Sequence, residues 1–71
     1  MLIGGFMILI NGNEMPDAEG LSIGAYLDSN GYDRQRIAIE RNQAIIRKCD
    51  YDTTILCDQD VIEIVSFVGG G

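Results

Sequence analysis

The sequence predicts a small α+β domain, in which a mixed sheet of about five strands packs against one helix. Three observations predict it. Short β-branched apolar runs recur at the start, the middle and the end of the chain. Only one stretch, residues 21–31, carries helical spacing. The 71 residues hold no repeat, linker or low-complexity segment, which leaves one domain, 1–71. A chain this short buries only about 60% of its unfolded surface, so each core position matters.

Phe6-Met7-Ile8-Leu9-Ile10 is the first strand, and Asn11-Gly12 after it predicts a type I′ hairpin turn, which needs φ > 0 at both central residues. The return strand, about residues 14–18, contains Pro16. Proline cannot donate to a ladder, so this strand belongs at a sheet edge. The helix follows. Ser22 is its N-cap, Leu21 and Tyr26 stand at the two positions of a hydrophobic staple, and Ile23, Tyr26 and Leu27 form one apolar face. Asn30-Gly31 supplies the left-handed stop, while Gly24 inside the helix marks close packing, expected against the sheet.

Ile37-Ala38-Ile39-Glu40 is the third strand and Ala44-Ile45-Ile46-Arg47 the fourth, with a turn around Asn42. Residues 49–60 read as a polar loop with a helical turn, anchored by Tyr51, Ile55 and Leu56. Asp58-Gln59-Asp60 turns into the final strand, whose polar marker is Glu63. Alternation then points Ile62 and Ile64 at the helix and turns Val65 and Phe67 outward beside Glu63. An exposed Val65/Phe67 pair at the end of the last strand is a candidate partner-binding patch.

The charge balance narrows the partners. Eleven acidic side chains against five basic ones give a net charge of −6, which disfavours nucleic acid and anionic membrane and suits a basic protein surface. No apolar run approaches the roughly 20 residues of a membrane span. The N-terminal Met1-Leu2-Ile3-Gly4-Gly5 lacks the basic region of a signal peptide, so a cytoplasmic chain is expected. Cys49 and Cys57 are expected to be unlinked, partly buried thiols.

No catalytic constellation is present. The chain has no histidine, so neither a Ser-His-Asp nor a Cys-His arrangement can form, and a His-ligated metal is excluded. Asp50, Asp52, Asp58 and Asp60 lack the spacing of a calcium loop and read as a solvated acidic loop. No bound cofactor or metal is expected. What stands out is the tail, Phe67-Val68-Gly69-Gly70-Gly71. Composition leaves two readings open, a frayed terminus or a thin stalk carrying an α-carboxylate about 10 Å beyond the folded body. A carboxylate is a poor electrophile until a partner enzyme converts it, with ATP, to an acyl-adenylate whose AMP a sulfur nucleophile can displace. That is a carrier's design rather than an enzyme's.

The segment Ile39-Glu40-Arg41-Asn42-Gln43-Ala44-Ile45-Ile46, and Leu56-Cys57-Asp58-Gln59-Asp60-Val61-Ile62-Glu63-Ile64 leading to Gly69-Gly70-Gly71, resemble the ThiS family of sulfur carriers in thiamin thiazole biosynthesis. The likeness runs from about Met7 to Gly71. It departs before Met7, and at Gln59, where the family often has glycine. The resemblance implies a ubiquitin-like β-grasp fold with the first and last strands parallel at its centre. It also implies that Gly71 is adenylated by a ThiF-like enzyme and converted to a thiocarboxylate with sulfur from a cysteine desulfurase, then delivers that sulfur to thiazole synthase, ThiG. Gly69 and Gly70 would form the tail, ATP would be used by the partner, and the free chain would be a monomer. The same chemistry would serve a molybdopterin-type carrier or a ubiquitin-like protein modifier, and a plain interaction module would not need the tail.

Overall fold

Both hairpins of the fold turn through residues that take positive φ. In the computed structural model, which describes residues 7–67, β1 (Leu9–Ile10) passes through Asn11 (φ 52°) and Gly12 (φ 82°) into β2 (Asn13–Glu14). Ile10 lies opposite Asn13, so the loop has two residues and the expected type I′ form. β3 (Ile37–Arg41) turns the same way through Asn42 (φ 53°) and Gln43 (φ 74°) into β4 (Ala44–Ile46). β5 (Val61–Ser66) enters between the hairpins, parallel to β1 and antiparallel to β3. The sheet order is β2-β1-β5-β3-β4, with one α-helix: the β-grasp arrangement.

The helix α1 (Ile23–Ser29) starts where its cap dictates. Ser22 Oγ accepts from the Ala25 amide at 3.0 Å, and Gly31 (φ 76°) ends the helix in the left-handed conformation. Its buried face, Ile23, Tyr26 and Leu27, shares one core with Ile8, Ile10, Ile37, Ile39, Ile62 and Ile64 from the sheet and Tyr51 and Leu56 from the long loop. Each large side chain so buried contributes about 1.5–3 kcal/mol.

Two asparagines grip the central strand from opposite sides. The Asn11 carboxamide accepts from the Ile64 amide at 2.7 Å and donates to the Ile64 carbonyl at 3.3 Å, taking over from β1 where β1 turns away. Asn42 Oδ1 accepts from the Val61 amide at 2.8 Å, and its own amide donates to the Val61 carbonyl at 2.8 Å.

Five expectations need correction. The return strand is shorter than predicted, because after Glu14 the chain enters a 3₁₀ turn at Pro16–Ala18; proline is favoured at the start of such a turn and cannot extend the ladder. Gly24 faces an ion pair rather than the sheet: a Cβ there would overlap Asp52 Oδ1 and crowd the Arg34 guanidinium. Ile55 is half exposed, since its backbone bridges to Ser22 while its side chain points away from the core. Cys49 and Cys57 are free but exposed: Cys49 lies in the polar 3₁₀ turn Lys48–Asp50, and Cys57 follows Leu56, which takes the buried position. The acidic loop is not uniformly solvated, for Asp60 is only 5% exposed. Its carboxylate accepts from Arg41 Nε (3.1 Å), Asn42 Nδ2 (3.1 Å) and the Cys57 amide (2.9 Å), which is how a buried charge is tolerated.

Candidate functional site

Gly69, Gly70 and Gly71, the residues expected to carry the chemistry, lie outside the described residues. The fold does describe the strand that leads to them. β5 is central, and its pairing with β3 extends beyond the strand proper, where the Phe67 amide donates to the Arg36 carbonyl at 2.7 Å. The path to the tail is therefore anchored as far as Phe67.

Along β5, burial alternates as the sequence predicted: Ile62 and Ile64 are in the core, whereas Glu63, Val65 and Phe67 face outward, the last two each 52% exposed. Register then adds neighbours that the reading of one strand could not supply. Ala38 lies opposite Val65, Glu40 opposite Glu63, Leu9 opposite Val61, and Ile45 opposite Glu40. Directly opposed residues share a face. The outer face of the sheet thus carries Leu9, Val61, Val65, Phe67, Ala38 and Ile45 around two central carboxylates. Ile45 is the most open of these, at 73% exposed. A shallow depression of about 370 Å³ opens beside Leu9 and Val61.

The sequence reading did not place Glu40, Ala38 and Ile45 on this face, although a signal existed for the first two. Ile37 and Ile39 are inward by the same alternation, which turns Ala38 and Glu40 out. Their contact with β5 could be known only from the pairing.

Among the described residues no group of three or more histidine, cysteine or acidic side chains is placed to hold a metal ion. No helix there is long and apolar enough to cross a membrane. The described arrangement is an exposed apolar face around two carboxylates, on the strand that leads toward the tail.

Comparison with known proteins places this architecture. The sequence profile of the ThiS family matches residues 3–71. The chain belongs to the ThiS family. The match begins four residues earlier than the resemblance read from Met7, so most of the segment before β1 falls within the family pattern. The sulfur carrier protein ThiS of Bacillus subtilis is 41% identical over 66 residues, covering 92% of this chain and all of that protein. A thiazole synthase of Paramagnetospirillum magneticum is 38% identical over 64 residues, covering 90% of this chain, and the chain spans only 20% of that protein's length. The crystal structure of the thiamine biosynthesis protein ThiS from Geobacter metallireducens superposes with a TM-score of 0.72 at 25% identity, covering 92% of this chain and 99% of that one. Members of the family are thus found both as chains of this size and as a segment of a longer synthase.

Proposed function

We propose that this chain is a sulfur carrier of thiamin biosynthesis and not itself a catalyst. The observation that carries the reading is the family match, which runs through Gly71 and accompanies full coverage of the B. subtilis sulfur carrier. In the proposed cycle the Gly71 carboxylate attacks the α-phosphorus of ATP on a ThiF-like enzyme, releasing pyrophosphate and forming an acyl-adenylate. A persulfide, supplied ultimately by a cysteine desulfurase, displaces AMP to form an acyl disulfide, and a second thiol cleaves its S–S bond, leaving a thiocarboxylate and a disulfide. That sulfur then passes to a thiazole synthase. The two thiazole synthases that contain a segment similar to this chain support such a partner. Val65 and Phe67 would dock against the enzymes while Gly69 and Gly70 carry Gly71 into their active sites; glycine suits a narrow channel because it has no Cβ.

The test is intact-protein mass spectrometry after incubation with ATP, a ThiF-like enzyme, a cysteine desulfurase and cysteine. The expected result is exchange of one oxygen for sulfur, lost on deletion of Gly71. An unchanged mass with demonstrably active enzymes would overturn the proposal.

A further inference from the structure

Glu40 and Glu63 are direct cross-strand partners at the middle of the exposed sheet face. Like charges directly opposite each other oppose sheet formation. Among the described residues no ion pair relieves them. The chain has five basic side chains, and each is engaged elsewhere: Arg34 with Asp28 and Asp52, Arg36 with Asp33, Arg41 with Asp60, Arg47 with Asp50, and Lys48 with the Ile37 carbonyl. Around the two carboxylates lie Val61, Val65, Ala38 and Ile45, a frame that would exclude water once covered.

We infer that this face is built to receive a cationic side chain of its thiazole synthase partner, an arginine guanidinium seated between Glu40 and Glu63 and ringed by apolar contact. The inference rests on the carrier reading and gives the docking face its chemistry. A planar guanidinium can donate to two carboxylates at once, whereas an ammonium offers a single point of charge. Covering the apolar frame lowers the local dielectric and strengthens that attraction. The repulsion that the free chain carries is removed in the complex. The pair therefore weakens the free fold and favours the bound state, two effects of opposite sign at one position.

The experiment measures binding of the full chain to a thiazole synthase of its own source organism, by titration calorimetry at about 50 and about 300 mM salt. Thermal unfolding of each free variant is measured alongside. For the wild type, the expected result is about a tenfold weakening from low to high salt. For the double variant E40Q/E63Q, affinity at low salt should be about tenfold lower and nearly independent of salt. The free double variant should unfold at the wild-type temperature or above. Equal affinity and an equal salt slope for the two proteins would overturn the inference, and so would a lowered unfolding temperature, because the carboxylates would then be supporting the fold. The carrier reading fails separately: a wild-type chain that neither loads sulfur nor binds the synthase overturns both, whereas a wild type that does both beside an indifferent E40Q/E63Q overturns this inference alone.

Discussion

Arg41 Nε donates to Asp60 Oδ2 at 3.1 Å, joining the end of β3 to the residue just before β5. Asp60 is the only buried charged side chain among the described residues, and three donors converge on it. Asp60→Ala would leave the Cys57 amide and the Asn42 carboxamide short of an acceptor and release Arg41. The expected cost is about 2–4 kcal/mol, read as a lower urea midpoint at an unchanged slope.

Gly24→Ala should forfeit most of the usual gain. Alanine normally stabilises a helix interior by about 1 kcal/mol relative to glycine. Here the new methyl would displace the Arg34–Asp52 pair, whose atoms occupy that space. Both groups are the far ends of flexible surface side chains that can shift, so the single variant should stay within about 0.5 kcal/mol of the wild type. In an R34A/D52A background the same change should recover the full gain, which a cycle of thermal unfolding measurements will reveal.

Asp52 supplies a pH prediction. The hydrogen bond from Arg34 holds its carboxyl below the ordinary aspartate value of 3.8, against a smaller opposing effect of desolvation. A depressed folded-state pKa contributes stability above the unfolded value, lost as pH falls through the folded one. The stability difference between wild type and Asp52→Asn should therefore be full at pH 5 and above and should shrink below about pH 3.8. Urea unfolding at stepped pH will check it; a difference that grows on acidification would contradict it.

Asn11 combines two roles that substitutions can separate. Asn11→Gly keeps the positive φ but removes both bonds to Ile64, at an expected cost of about 1–2 kcal/mol. Asn11→Ala should cost roughly 1 kcal/mol more, because alanine resists the left-handed region. Amide exchange at Ile64 should quicken in both.

Gln59 sits at φ 72°. That is the left-handed region, which glycine enters without the strain a side chain brings. Gln59→Gly should stabilise the fold by about 0.5–1 kcal/mol, the relief of left-handed strain outweighing the added freedom of the unfolded chain. A rise in unfolding temperature is expected.

Local chemistry accounts for how much of this fold was legible in advance. Ser22, Asn30-Gly31 and Asn11-Gly12 act within a few residues of themselves, so the helix and first turn could be read directly. Alternation along Ile62-Glu63-Ile64-Val65 likewise needs no partner. What escaped depended on distant residues: Gly24 beneath the Arg34–Asp52 pair, Asp60 collected by Arg41 and Asn42, and Glu40 across from Glu63. Each joins residues 10 to 28 positions apart, the extremes being Gly24 with Arg34 and Gly24 with Asp52, that only the folded chain brings together or that lie in facing strands. Pro16 shows the intermediate case, since its missing donor signalled an edge but not that the strand would stop before it.

The setting of β5 between a parallel and an antiparallel neighbour has a mechanical consequence. Traction on the polypeptide beyond Phe67 acts along the strand axis, while the ladder bonds to β1 and β3 lie across it. Load in that direction is shared among the bonds as shear, rather than peeling them open one after another. An enzyme drawing the chain end inward would be pulling on an anchor, and the globule would follow as a rigid weight instead of unravelling.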